Sequence, residues 1–312
     1  MLTARPEGPL EDAFWIDLND PTPEEVDAVA RATGLTAPTR EALSEIETSS
    51  RLRVSGQHLA LSTPILSKAD TPEPELTPMG FLVTPKVLVT VRFADLRVVD
   101  AAAAETACVR SPSSVGVFVA LLEAIVDRAA DLLEMAGTEL DGLSRETFRN
   151  ADVRPRGIPR ASQALRRTLG QMGRLGDRLG QIRGSLLGVS RLVPFVSEVA
   201  RDWIAPEFQA RLGAVRADVL SLADYETFLE GKNQFLLDAV LGFINTEQND
   251  LFKFLTVVSV VGVPPTLVAS MYGMNFANMP ELHWRLGYPY AIVLIVLSAV
   301  IPMAWFKWKD WW

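Results

Sequence analysis

The chain has 312 residues, 48% of them hydrophobic, with a formal net charge of −8. That length covers one large or two modest domains, and the acid excess argues against a nucleic-acid partner, which needs a basic patch. Mean hydropathy is +0.17, high for a soluble protein, and the excess sits in the C-terminal hairpin described below.

The opening, Met1-Leu2-Thr3-Ala4-Arg5-Pro6, has no apolar core and does not read as a signal peptide. The single cysteine, Cys108, leaves no internal disulfide and fits a reducing compartment. Residues 1–112 read as an α+β cytoplasmic domain. Phe14-Trp15-Ile16-Asp17-Leu18 is a short strand. Thr22 then serves as N-cap, Pro23 takes the first helical position, Glu25 closes a capping box, and Gly34 stops the helix. A second short helix is expected over Thr39 to Glu47. Strands follow at His58 to Leu66, Gly80 to Thr84 and Val87 to Arg92, the last two pairing around Thr84-Pro85-Lys86. Asp70 to Pro78, with its prolines, reads as a loop.

From Ser113 onward the pattern is helical, and residues 113–250 read as a long-helix bundle and stalk. Val117, Leu121, Ile125, Ala129, Leu132 and Met135 recur at helical spacing over Ser113 to Phe148. Pro155, Gly157 and Pro159 break the pattern. A second long helix is expected over Arg160 to Val193, and Pro194 and Pro206 bracket the next turn. No proline then occurs until Pro264, so an unbroken helix from Glu207 to Met271 would be roughly 95 Å long at 1.5 Å per residue. A helix of that length needs neighbours, and oligomerisation is expected. The arginines of Arg154 to Arg191 and the acids of Asp202 to Asp250 read as solvated helix faces, the acids also as a surface that collects cations.

Two apolar stretches follow, Leu251 to Met271 and Tyr288 to Phe306. Each is about the 20 residues that cross a hydrocarbon core as a helix. Residues 251–306 therefore read as a transmembrane hairpin with an outer loop at 273–287 and a tail at 307–312. Two core helices of a soluble protein are the competing reading, disfavoured by the near absence of charge in both. Lys253, Lys307 and Lys309 lie at one end of the pair, which places both termini in the cytoplasm.

Within the first stretch, Asn249, Phe252, Thr256, Ser259, Val263, Thr266 and Ser270 recur at alternating steps of three and four, a heptad seam. Most of these are polar, while the other positions are nearly all apolar. Amides and hydroxyls are costly in lipid unless paired or wetted, so gathering them on one face fits a water-lined pore. A tight helix–helix interface is the alternative, since small polar residues also pack membrane helices. In a pore, Phe252 and Val263 would form apolar rings able to gate by dewetting. Pro264 and Pro265 remove the donors that the Val260 and Val261 carbonyls would otherwise meet.

Tyr272-Gly273-Met274-Asn275, followed by Met279-Pro280-Glu281-Leu282, Trp284 and Gly287-Tyr288-Pro289, resembles the CorA family of divalent-cation channels. The match runs from Asn249 through Pro264 to the terminal Phe306-Lys307-Trp308-Lys309. The resemblance implies a homopentameric channel in the bacterial cytoplasmic membrane that carries Mg2+, with Co2+ and often Ni2+, and has no enzyme activity and no resident cofactor. It places Gly273, Met274 and Asn275 at the outer mouth, and Glu281 nearby, where it would raise local cation concentration. It implies closure by Mg2+ bound between cytoplasmic domains, with Asp238 as one sensor carboxylate and its partner in the Glu73–Glu75 loop or at Asp95. Two departures stand out: a methionine constriction common in the family is Val263 here, and the often basic tail is rich in tryptophan, an interfacial belt. The expected partners are further copies of the chain, membrane lipid and divalent cations. Two rivals remain: a proton-coupled Zn2+ transporter of the same superfamily, and a membrane-anchored cytosolic protein that transports nothing. His58, His283 and Cys108 are too few soft ligands for a dedicated zinc site, and no phosphate loop, His-based metal motif or nucleophile elbow supports an enzyme.

Overall fold

The computed structural model describes the chain except residues 46, 57, 70, 72–73, 109–111, 153–157, 276–278, 310 and 312. It forms two compact units, Met1–Leu237 and Asp238–Trp312.

The first unit is built on a six-stranded sheet. In spatial order its strands are β1 (Leu2–Arg5), β2 (Trp15–Asn19), β6 (Leu88–Arg92), β5 (Glu75–Val83), β4 (His58–Ser67) and β3 (Leu52–Ser55). β2 and β6 are parallel and every other pair is antiparallel. The expected hairpin is present, with Val83 opposite Leu88. Alternate strand residues point to opposite faces. Ile16, Leu18, Leu82, Val89 and Val91 therefore form one core with Val29 of α1 (Pro23–Thr33) and Leu43 of α2 (Arg40–Ser44). Trp15, Phe81, Val83 and Leu88 form the other core, against α4 (Arg97–Ala107), α5 (Ser114–Asp152), α6 (Ile158–Val199) and the start of α7 (Pro206–Tyr272).

Local chemistry sets the α1 boundaries as the sequence predicts. The Glu25 amide donates to the Thr22 hydroxyl, the Thr22 amide to the Glu25 carboxylate, and Gly34 takes φ 73°, where a side chain would be strained. Across the neighbouring strands β2 and β6, the Trp15 indole donates to Thr90 Oγ1 at 3.0 Å and Thr90 donates to Asp17 Oδ1 at 2.6 Å. Arg92 closes this network with an ion pair to Asp17 at 3.0 Å.

Several elements differ from the sequence expectation. The helix at Thr39 to Glu47 is interrupted: Glu45 turns extended after α2, and a separate turn, α3 (Thr48–Arg51), follows. Glu75 to Pro78 is not loop but the start of β5, with Pro78 opposite Pro64. Both prolines are tolerated because β3 pairs only as far as Leu61 and β6 only from Met79, so neither missing N–H leaves a neighbouring strand unpaired. Pro194 does not end α6, which continues to Val199 and buries Val193 and Val196. That packing offsets the roughly 3 kcal/mol a helix-interior proline costs. β1, β3, α3 and α4 were not expected.

In the first unit α5, α6 and α7 pack along heptad seams. α6 buries Met172, Leu175, Leu179, Ile182 and Leu186; α7 buries Leu212, Val215, Val219, Leu229 and Leu236. Arg211 of α7 binds Glu123 and Glu105, Lys232 binds Asp141, and Arg178 pairs with Glu139 at 3.4 Å. Most acids of Asp202 to Asp250 are exposed, as expected for a solvated face, but Glu226 is buried.

The second unit contains the end of α7, a 3-10 turn at Pro280–His283 and α8 (Gly287–Trp308). α7 and α8 are both long and apolar enough to cross a membrane.

Candidate functional site

The seven stripe residues all lie on α7, and every one is exposed, Phe252 at 66% and Val263 at 61%. The half-buried residues of the same stretch are Leu251, Val257, Val261, Pro264, Pro265 and Val268. At about 100° per residue, the mean directions of these two sets lie roughly 170° apart. α8 is half-buried along its own stripe, Ala291, Leu294, Ile295, Ser298, Ala299 and Pro302. This is the pattern of two helices that cover each other along one side, and it leaves the polar stripe on the side turned away.

The two stripe threonines have a defined hydroxyl state. Thr256 Oγ1 donates to the Phe252 carbonyl at 2.7 Å and Thr266 Oγ1 to the Gly262 carbonyl at 2.9 Å. Each proton is thus used within the helix, and the oxygen lone pairs are left as acceptors. An acceptor surface of this kind suits a cation or the outward-pointing hydrogens around water. α7 runs through Pro264 and Pro265 without a break, so the carbonyls of Val260 and Val261 lack their helical donors.

Beyond Tyr272 the helix unwinds through Gly273, whose amide still reaches the Ala269 carbonyl at 3.0 Å, and Met274, whose amide reaches Met271 at 3.3 Å. Asn275 follows outside the helix, exposed. On the return side, the Trp284 amide bonds the Glu281 carbonyl at 3.2 Å and the Gly287 amide bonds Trp284 at 3.0 Å. Trp284 meets Tyr290 edge-on, with ring centroids 5.9 Å apart. Glu281 is half-buried in this turn. A Cβ at Gly287 would fall inside 3.0 Å of the Glu281 carbonyl oxygen, so the loop closes only over glycine. The same atom at Gly273 would meet the Ala269 carbonyl at 3.3 Å, a tight but adjustable contact. The sequence reading did not single out Gly287 for this role; its position two residues before Pro289, at a helix start, is the available signal.

Asn249 lies one residue before Asp250, which pairs with Lys253 at 3.6 Å. Asp238 is exposed on α7. Of its proposed partners, Glu75 is in β5 and paired with Lys68 at 3.1 Å, and Glu73 lies outside the described residues. Asp95 follows β6, is 97% exposed, accepts from Asn19 at 2.8 Å and stands 3.5 Å from Arg92. Among the described residues, no three acids, histidines or cysteines gather into a metal cluster within one chain. At the C-terminus Phe306 is buried, with Trp305 at 5.2 Å and Trp311 at 5.6 Å between centroids, while Trp308 is exposed.

Against this geometry, a sequence profile described as CorA-like Mg2+ transporter protein matches residues 11–308. The chain is similar to the magnesium transport protein CorA of Escherichia coli K12, 32% identical over 308 residues, covering 97% of this chain and 93% of that one. It is also similar to the protein of the same name from Wolinella succinogenes, 31% identical over 312 residues, covering 96% and 91%. In fold it resembles the complete structure of the CorA magnesium transporter from Methanocaldococcus jannaschii, with a TM-score of 0.76 at 18% identity, covering 96% and 91%. The chain belongs to the CorA family.

Proposed function

We propose that this chain forms a Mg2+ channel in the bacterial cytoplasmic membrane, a homopentamer whose α7 helices surround the ion path and whose termini are cytoplasmic. Co2+ is a further substrate, and Ni2+ another. The single observation that carries the reading is the polar stripe: an exposed face of hydroxyl and amide acceptors opposite the half-covered face of the same helix.

The chemistry follows from the ion. Mg2+ holds its water tightly and demands octahedral oxygen geometry. A ring of Asn275 amide oxygens, with the Gly273 carbonyls and Met274 beside it, binds the hydrated ion through its water shell. Neutral oxygens hold a divalent cation weakly enough to release it, and Thr266, Ser259, Thr256 and Asn249 supply further weak sites in series, with Ser270 nearest the mouth. Phe252 and Val263 provide apolar rings where dewetting stops the flow. Glu281 draws cations to the mouth. Asp238 is a regulatory ligand, binding Mg2+ between neighbouring copies and holding the channel closed when internal Mg2+ is high. Lipid contacts the outer faces of both spans, and the terminal tryptophans sit at the interface.

The test is Mg2+ influx into liposomes that contain the purified protein and a Mg2+-sensitive dye, with Zn2+ and a pH gradient examined in parallel. The expected result is Mg2+ entry that needs no proton gradient. Proton-linked Zn2+ movement without Mg2+ entry would assign the chain to zinc transport, and no movement of either ion would leave the hairpin an anchor.

A further inference from the structure

Glu226 occupies a core position of the α5–α6–α7 bundle. It continues the α7 seam of Val219 and Leu222 toward Leu229, and its side chain is 1% exposed. Neither carboxylate oxygen has a hydrogen-bond partner. The charges around it do not make good that loss. From α6, Arg183 Nη1 stands 3.5 Å away, but the same nitrogen bonds Glu230 at 2.7 Å and its side chain is half in solvent. Arg178, one turn along α6, is engaged by Glu139, and Lys232 of α7 by Asp141. From α5, Gly137 lies against Tyr225 and Leu229, and the residues buried at that level, Leu133, Ala136 and Leu140, carry no charge. Elsewhere on these helices Gln181 Oε1 and Asn233 Oδ1 are buried acceptors without donors, and Arg178 Nε is a buried donor without an acceptor, but none of these is within hydrogen-bond distance of Glu226. At Glu226 one added proton would both remove a charge and supply a donor.

We propose that Glu226 is a proton-binding site: the closed bundle holds the proton, loosening releases it, and pH thereby sets how tightly α7 is held by α5 and α6. Burial raises the Glu226 carboxyl above its usual value of 4.5, Arg183 opposing and Glu230 adding to the effect. A carboxyl raised in the folded state contributes stability that is complete below its unfolded value and is lost as pH rises through its folded value. The loss therefore begins near 4.5 and grows upward.

The experiment is thermal unfolding of the full-length protein in detergent across a pH series, for wild type, Glu226→Gln, Arg183→Gln and the double variant. Glutamine keeps the shape and cannot ionise. Glu226→Gln should match wild type at about pH 5 and exceed it by about 3 °C at pH 8. In the Arg183→Gln background no cation opposes burial, so the gain in Tm from adding Glu226→Gln should be larger at pH 8 than it is in wild type. If Glu226→Gln is poorly folded, Arg183→Gln alone still reads the site, because it should lower Tm more at pH 8 than at pH 5. A Glu226→Gln curve parallel to wild type, or an Arg183→Gln effect independent of pH, overturns the assignment.

Discussion

The outer turn gives a sharp contrast between two glycines. Gly287→Ala puts a methyl inside 3.0 Å of the Glu281 backbone oxygen, and no flexible side chain is there to give way. Ordinary contact requires the turn to open by most of an ångström. Overpacking of this kind costs about 1–3 kcal/mol. The Gly287–Trp284 hydrogen bond and the Trp284–Tyr290 contact would be lost with it. Gly273→Ala meets the Ala269 carbonyl at 3.3 Å and needs a few tenths of an ångström, and Gly273 has no positive φ. Its cost within one chain should be under about 1 kcal/mol, and alanine is the better helix former. Gly287→Ala should therefore lower Tm of the detergent-solubilised protein by on the order of 5 °C, and Gly273→Ala by little. Measured together with dye-reported Mg2+ influx, the pair separates fold from mouth. A Gly273→Ala protein that is stable but inactive locates the defect where copies meet at the entrance. A Gly287→Ala protein with wild-type Tm and influx would refute the packing argument.

Other expectations follow from single sites. Asn275→Ala should abolish selective Mg2+ influx while the oligomer still assembles on size exclusion; full selective influx would remove Asn275 from the filter. Asp238→Ala should weaken inhibition of influx by Mg2+ inside the vesicle, and an unchanged inhibition curve would sink that assignment. Asp17→Ala takes the 3.0 Å carboxylate from the largely buried Arg92, leaving it the exposed Asp95 at 3.5 Å, and leaves Thr90 only the longer bond to the Ile16 carbonyl, a loss of about 1–3 kcal/mol. Its Tm should fall further than that of Lys68→Ala, which breaks only an exposed pair worth at most about 1 kcal/mol.

The hairpin and the long helix were legible because they depend on length and period alone: α7 ends within a residue of the expected bounds. The capped helix α1 was legible because Thr22, Glu25 and Gly34 write its ends in local chemistry. What failed depends on neighbours. Pro78 and Pro194 were read as breakers, yet Pro78 is accommodated where the surrounding strands ask for no donor and Pro194 where packing outweighs the loss. The α4 helix has no side-chain cap and the apolar run Ala101 to Ala104 carries little phase, so only its fit against α5 fixes it. The site divides the same way. The stripe was visible as a seven-residue repeat, whereas the need for glycine at position 287 arises from a carbonyl six residues back and exists only once the turn is closed.

The α7 repeat carries a further consequence. Counting back from Asn249 in the same phase gives Asn245, Gly242, Asp238, Phe235, Gly231 and Phe228, and all six are exposed or half-exposed on the helix surface. The seam that α7 buries within its own chain, Val219 through Glu226 and Leu229 to Leu236, lies two positions away, roughly 200° around the helix. One face of this helix is thus committed to α5 and α6, while Phe228 and Phe235, in phase with the polar stripe, stay mostly exposed, each meeting only one ring, Tyr225 and Phe148 respectively. An exposed phenylalanine pair one heptad apart is costly in water, and symmetric copies packed along this face would relieve that cost. Because α7 has no break between Asp238 and the stripe, a turn of the helix about its axis at Asp238 is carried to Thr256 and Ser259. On the proposal that Asp238 binds Mg2+ and that the stripe lines the ion path, this continuity is the link between the two, and it requires no contact beyond the helix itself.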